Sequence, residues 1–472
     1  MISPVGQMLS EAGAVSGTYA HRFAHHAKRG GRLKLRRIFR PTVLFTVPLI
    51  FSGLAWALPG TGEYLRGFDH RSNLDLGAVL VLGGWYLFCF VLIIFGGLIG
   101  RTIAPAPSLE AARTRSGFEK RFYLVLTIIS AIGVVGAYQL ILGQVSIVQA
   151  VTAGQANELS AVLLDGSNIA TLRYAAIVAA PVGIFLAIEK KAGWLLAAVN
   201  VLMLLSVVLL SSRLSLIMAI VVFLFLFVHE HPTARVRLMP ATIGGVLLFG
   251  LLTAFNYSRN ANFYRLFGVD NPLSMNLYQI EAYLGSPAQV AVGVAHAIFE
   301  GRFGVDLPLG PATQSIVPTF LQTVKGNRSA VTDPGIYGYQ VDIAPNLNSN
   351  SAFADTYAHY GWWGLLLTAM ILFLAAILYS HLAQYKGVLS VGSAVLGYGF
   401  LEYWRTFFFN QGSIVFILTA LLIALGVARA MTPIDLIPQS RLAMTYRHRR
   451  RVVIPPLAAQ SSGAAHTIEG PK

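Results

Sequence analysis

The chain has 472 residues, of which 55% are hydrophobic and only 12% charged, with a formal net charge of +15. Soluble domains carry about twice that charge fraction, so an ordinary soluble domain is excluded. The basic residues fall between apolar runs and in the two tails, a positive-inside pattern rather than a nucleic-acid-binding face. One cysteine, Cys89, excludes an intramolecular disulfide and a cysteine-based metal site.

The first forty residues lack the apolar core of a signal peptide, so the first span serves for targeting. His21 to Arg40 is dense in Arg, Lys and His, fitting a cytoplasmic tail that faces anionic lipid. Apolar runs then predict spans at about 42–59, 75–99, 122–143, 168–188, 193–210, 214–229, 240–256, 361–380, 388–407 and 412–428. Backbone groups in hydrocarbon must be satisfied internally, and alternating ten-residue segments are missing, so the runs read as helices rather than barrel strands. Residues 193–229 as one straight helix would be about 55 Å long, too long for one crossing. The interruption Ser211-Ser212-Arg213 therefore predicts a tight turn between two helices.

The fold expected is all-α: a polytopic membrane protein with about ten transmembrane helices and one large extracytoplasmic loop. The segments placed inside hold 25 Lys and Arg against 10 outside, and the outer loop 144–167 has none, which favours N-in and C-in. The expected organisation is a basic N-terminal tail (1–41), seven spans (42–256), a periplasmic loop (257–360), three spans (361–428) and a basic disordered tail (429–472). Within the loop, 276–300 has helical character, with a break expected at Gly285-Ser286-Pro287. Turn-rich strings follow at Pro308–Pro311, Asp333–Tyr339 and Pro345–Asn350.

No phosphate-binding Gly-rich loop, His-Glu-x-x-His string or carboxylate-rich metal loop is present, so no metal or cofactor is expected. What remains is arginine at the outer face. Arg213 sits at the predicted turn, Arg173 one turn into the fourth span, and Arg405 near the outer end of the ninth; Arg259 opens the loop. Charge at membrane depth is costly and is kept where it has a partner. A guanidinium fork suits a phosphate, although Glu402 stands at the right spacing to take Arg405 as an i,i+3 pair. A basic cavity holding a lipid-linked phosphate or pyrophosphate is the expectation. Tyr283, Tyr337, Tyr339, Tyr357, Trp362 and Trp363 suit an interfacial belt or stacking on sugar rings. Glu281, His296, Glu300, Asp306, Asp333, Asp355 and His359 are the outer acid/base candidates.

Three strings together resemble the bacterial O-antigen and oligosaccharide repeat-unit polymerases of the Wzy type. They are Leu209-Leu-Ser-Ser-Arg-Leu-Ser-Leu216, Asn348-Ser-Asn-Ser-Ala-Phe-Ala-Asp-Thr-Tyr-Ala-His-Tyr-Gly-Trp-Trp-Gly364 and Tyr403-Trp-Arg-Thr406. The resemblance covers roughly residues 120–430. It implies metal-independent glycosyl transfer at the outer face of the bacterial inner membrane. The acceptor hydroxyl of one polyprenyl-pyrophosphate-linked repeat unit would attack the anomeric carbon of the donor glycan, and polyprenyl pyrophosphate would leave. Arg213, Arg173 and Arg405 would clamp pyrophosphate, Arg259 and Arg302 would guide the donor, and Glu281, Asp355 or His359 would act as base. Tyr283, Asn350 and Tyr357 would contact substrate. The implied partners are polyprenyl-linked glycans, membrane lipids, a chain-length regulator and a flippase, with no nucleic acid. The related O-antigen ligases usually carry His-Asn where this chain reads Ser349-Asn350; a ligase, a lipid-linked-sugar transporter and a scaffold stand as alternatives.

Overall fold

The computed structural model describes residues 37–57, 68, 75–113, 117–146, 168–210, 213–232, 238–301, 310–318, 343 and 350–432. For Arg213 and Arg259 only the backbone is described. The basic N-terminal stretch up to residue 36, the expected C-terminal disorder, the Ser211-Ser212 turn, and Arg302, Asp306, Asp333, Tyr337 and Tyr339 lie outside the described residues.

In chain order the helices are α1 (Pro41–Ala57), α2 (Leu76–Thr102), α3 (Pro107–Arg113) and α4 (Phe118–Leu142). A 3₁₀ segment, Asn168–Ala175, leads into α5 (Ala176–Ile188), followed by α6 (Trp194–Leu209), α7 (Arg213–Glu230), α8 (Leu238–Leu266) and α9 (Pro272–Phe299). The last three are α10 (Ala352–Leu382), α11 (Val391–Glu402) and α12 (Gly412–Met431). The described residues are helical apart from connections and one isolated antiparallel bridge, Phe68 to Ile343.

Among the described residues, five segments are long and apolar enough to cross a membrane: Leu76–Thr102, Phe118–Leu142, Ile169–Ile188, Ala352–Leu382 and Gly412–Ala430. Five shorter apolar helices lie at Pro41–Ala57, Trp194–Leu209, Leu214–Glu230, Thr242–Leu251 and Gly387–Glu402. Their outward faces are apolar, as at Leu80, Leu87 and Leu98 of α2, which suits contact with lipid tails rather than water. The chain is a membrane-embedded helical protein.

Small residues set the closest helix packing. A Cβ on Gly96 would meet the Phe373 carbonyl, and one on Gly100 the Ile377 carbonyl, so α2 and α10 run with their backbones nearly touching. Gly133 of α4 likewise admits the backbone of Leu172 and Arg173. Asn200 on α6 donates to the Tyr123 hydroxyl (2.8 Å) and to Thr127 Oγ1 (3.0 Å), joining α6 to α4 through a polar contact sheltered in the bundle.

Three boundaries differ from expectation. Helix α8 does not stop at 256 but continues to Leu266, and Tyr264 in the added turns is buried against Met275 of α9. The expected loop 257–360 holds α9, a 28-residue helix that packs on α1 and α2. Its Gly285-Ser286-Pro287 string does not break it. The Phe68 ring fills the space over Gly285, and the Ser52 hydroxyl donates to the Leu284 carbonyl (2.7 Å) in the turn that the proline disturbs. Helix α10 begins at Ala352 rather than 361, with a sharp bend at Gly361 (φ 61°, ψ −158°), a conformation essentially open to glycine alone.

The connections group into two sets. Lys191 Nζ lies 2.6 Å from Glu119 Oε2, and Arg113 3.9 Å from the other oxygen of the same carboxylate. Ala106 N–H donates to the Tyr385 hydroxyl, and Gly387 N–H to Glu230. All of these belong to the segments counted above as inner, and they meet at one end of the bundle. The ends bearing Arg173, the start of α7 and Arg405 form the other.

Candidate functional site

The second end carries a cavity of about 200 Å³ between the 3₁₀ segment, α7 and the links around α11 and α12. Its polar wall comprises Tyr174, Ser215, Arg405, Thr406, Gln411 and Ser413, and Ile177, Leu214, Met218 and Phe408 supply the apolar wall. These residues are immediate neighbours of all three arginines singled out in the sequence: Tyr174 follows Arg173, Leu214 follows Arg213, and Arg405 lines the cavity itself. No carboxylate is among the lining residues, which gives the wall the polarity an anion needs.

The tertiary structure assigns Arg405 a more constrained place than a free clamp. Chain turns after α11 bury it (9% exposed) with Nε 2.5 Å from Glu402 Oε2, the i,i+3 pair read as an alternative above. Nη1 donates to the Tyr283 hydroxyl, and the guanidinium lies 4.8 Å from that ring's centre. Two arms of the fork are therefore occupied, and Nη2 has no protein partner among the described residues. Tyr283, expected to contact substrate, holds Arg405. Arg173 turns back on its own 3₁₀ segment: Nη1 donates to the Ala170 carbonyl (2.8 Å) and Nη2 to the Tyr174 hydroxyl (3.2 Å). The contact with Tyr174 places it one residue behind the cavity wall. Arg213 opens α7, and Arg259 lies within α8 rather than at the start of a loop, because that helix runs ten residues further than expected.

The other candidates are not at this cavity. Asp355 and His359 pair with each other one turn apart on α10, His359 Nδ1 donating to the Asp355 carbonyl (2.8 Å) with Asp355 Oδ1 at 3.6 Å. Tyr357 stacks with Phe353 and meets Trp362 edge-on. Asn350 lies just before Ser351, the residue that precedes α10, and Glu281 is half-buried on α9. Sequence reading missed Asp75. Its Oδ1 accepts from Ala78 N–H (2.6 Å), capping α2, and its Oδ2 lies 2.7 Å from His296 Nδ1. The Asp-Leu-Gly-Ala string at a helix start carried the capping signal, but the partner 221 residues away did not. His296 Nε2 is also 3.3 Å from Glu300, so this histidine bridges α9 to α2 rather than facing the cavity.

Among the described residues no group of three His, Cys, Asp or Glu side chains is placed to hold a metal ion. The site and the fold together define a helical membrane-embedded protein with a small cavity at one end, to whose wall Arg405 contributes its guanidinium. No family model, no curated protein and no solved structure matches the chain.

Proposed function

We propose that the protein is a polysaccharide polymerase that joins polyprenyl-pyrophosphate-linked repeat units at the outer face of the bacterial inner membrane. In this reading all ten apolar helices span, both termini are cytoplasmic, and the cavity end faces the periplasm. The grouping of the Lys-rich and Arg-rich connections at the opposite end supports that orientation.

The observation that carries the reading is the cavity wall, in which Arg405 and the chain neighbours of Arg173 and Arg213 come together from three separate stretches of sequence. Whole small-molecule ligands occupy about 300–1,000 Å³. A cavity of about 200 Å³ suits a phosphate head group, with prenyl tail and sugars outside it. Negative charge grows on a departing pyrophosphate, and Nη2 of Arg405, the Ser and Thr hydroxyls and the Gln411 amide are donors suited to stabilise it. Glu402 and Tyr283 hold the guanidinium in place, which lowers the reorganisation needed as that charge develops. Chain-length regulator, flippase and membrane lipids are the partners this role calls for.

The test is incubation of the protein in vesicles with a defined polyprenyl-pyrophosphate oligosaccharide. Ladders of longer lipid-linked glycan are expected, and Arg405→Ala abolishes them while the protein still inserts. Glycan appearing on a different lipid acceptor, or transport without bond formation, overturns the proposal.

A further inference from the structure

Arg405 keeps one nitrogen open where chemistry favours closing it. A guanidinium presents Nε and Nη2 side by side, and a carboxylate commonly takes both at once, one oxygen on each. Glu402 already has Oε2 on Nε, and its second oxygen is the natural partner for Nη2, yet the two residues are joined through Nε alone. Were the carboxylate to close on Nη2 as well, all three guanidinium nitrogens would be committed within the protein, since Nη1 is held by Tyr283.

The residue placed to prevent this is Tyr398. It stands one turn before Glu402 on α11, and its hydroxyl is hydrogen-bonded to the Glu402 carboxylate. The Leu214 carbonyl is a second acceptor, at 3.5 Å. A hydroxyl has one hydrogen to give; 3.5 Å is long for an O–H donor, and a charged acceptor is the stronger one, so the carboxylate takes it. Glu402 is thereby shared between Arg405 and Tyr398. A carboxylate drawn toward a hydroxyl does not turn both oxygens to one guanidinium.

The position of Tyr398 ties this contact to the cavity. The residue is fully buried and outside the wall, but it touches the wall from behind at two places. Its ring meets Phe408 edge-on with centroids 5.2 Å apart, and its hydroxyl faces Leu214. Packing alone does not ask for the hydroxyl, because Phe400, Phe407 and Phe408 fill the same end of α11 without one. A buried hydroxyl is unfavourable unless it is hydrogen-bonded.

We propose that Tyr398 is a positioning residue of the cavity: its hydroxyl holds the Glu402 carboxylate off Nη2 of Arg405, and so keeps that nitrogen available to a phosphate group. The inference rests on the reading of this cavity as a phosphate site and not on the glycosyl-transfer step. A phosphate on a prenyl lipid and a free one present the same oxygens to Nη2.

The test titrates inorganic pyrophosphate and, separately, farnesyl pyrophosphate into the full chain purified in detergent. Tyr398→Phe is expected to weaken binding by roughly tenfold or more, the effect of one hydrogen bond to a charged group. Its unfolding midpoint without ligand stays level or rises, because Glu402 now closes on Arg405. Adding Glu402→Gln to Tyr398→Phe recovers most of the affinity, since an amide has one acceptor oxygen and cannot take Nε and Nη2 together. A merely structural role predicts the opposite on both counts. Tighter binding of the farnesyl compound assigns the phosphate to a lipid and equal binding to a free anion; both agree with the proposal. Wild-type affinity in Tyr398→Phe, a loss of affinity with a lowered midpoint, a folded double variant that stays weak, or no binding of either compound by the wild type overturns it. A wild type that binds pyrophosphate but builds no glycan ladder overturns only the polymerase reading.

Discussion

The Arg405 guanidinium and the Tyr283 hydroxyl are hydrogen-bonded across 122 residues of sequence, fastening the long helix α9 to the cavity end of the bundle. The same guanidinium is 4.8 Å from the Tyr283 ring centre, so the tyrosine offers both its hydroxyl and its face. Tyr283→Phe keeps the ring and removes the hydroxyl. We expect it to cost about 1.5–3 kcal/mol at most, the range for a hydrogen bond to a charged group, reduced by the 39% exposure of Tyr283. Thermal unfolding in detergent measures this, and an unchanged midpoint removes the bond from the stability account.

Glu402 and Arg405 are both buried, at 5% and 9% exposure, and removing one partner strands the other's charge. Glu402→Ala is expected to destabilise by about 3–5 kcal/mol, whereas the double variant Glu402→Gln with Arg405→Met stays within about 1–2 kcal/mol of wild type or exceeds it. Comparing the heated fraction that stays monodisperse on size exclusion checks the contrast. Equal losses in both variants exclude the stranded-charge explanation.

Gly100 of α2 faces the Ile377 carbonyl of α10 with no room for a side chain. Gly100→Val forces two backbones apart, with an expected cost of about 1–3 kcal/mol. Gly83, with nothing within 4 Å of an added Cβ, is the matched control on the same helix, and Gly83→Ala should leave stability unchanged or slightly raised. Unfolding midpoints of the pair decide it.

The Ala78 N–H holds the Asp75 carboxyl below its ordinary value, helped by the contact with His296 against the opposing effect of burial. A carboxylate whose folded pKa is depressed adds stability that is full above the unfolded value of 3.8 and is lost as pH falls through the lower folded value. Asp75→Asn should therefore lower stability at neutral pH and flatten its decline below about pH 4. Parallel acid-unfolding curves for the two proteins contradict this.

Much of the bundle was legible because hydrocarbon permits only one regular backbone solution. Apolar run length located a helix at each of the ten predicted positions, and the Lys and Arg bias anticipated which connections share an end. The helical character of 276–300 was visible as well, but not that the helix would be buried against α1 and α2. Its polar residues meet partners from elsewhere: Gln289 accepts from Trp56 Nε1 at 2.6 Å. Such pairs look like loop chemistry in a linear reading.

Composition, apolar run length and charge bias by themselves determined that this is a helical membrane protein, because the transfer of side chains and backbone into lipid depends on local sequence alone. They also drew attention to Arg173, Arg213 and Arg405 as costly charges. Only the tertiary structure decided that Arg405 is shared between Glu402 and Tyr283, that Arg173 folds onto Tyr174, and that Asp355 and His359 face each other away from the cavity. Those outcomes depend on which helices adjoin, and adjacency is set by close packing at glycines such as Gly96, Gly100 and Gly133, a long-range choice that no single stretch of the chain encodes.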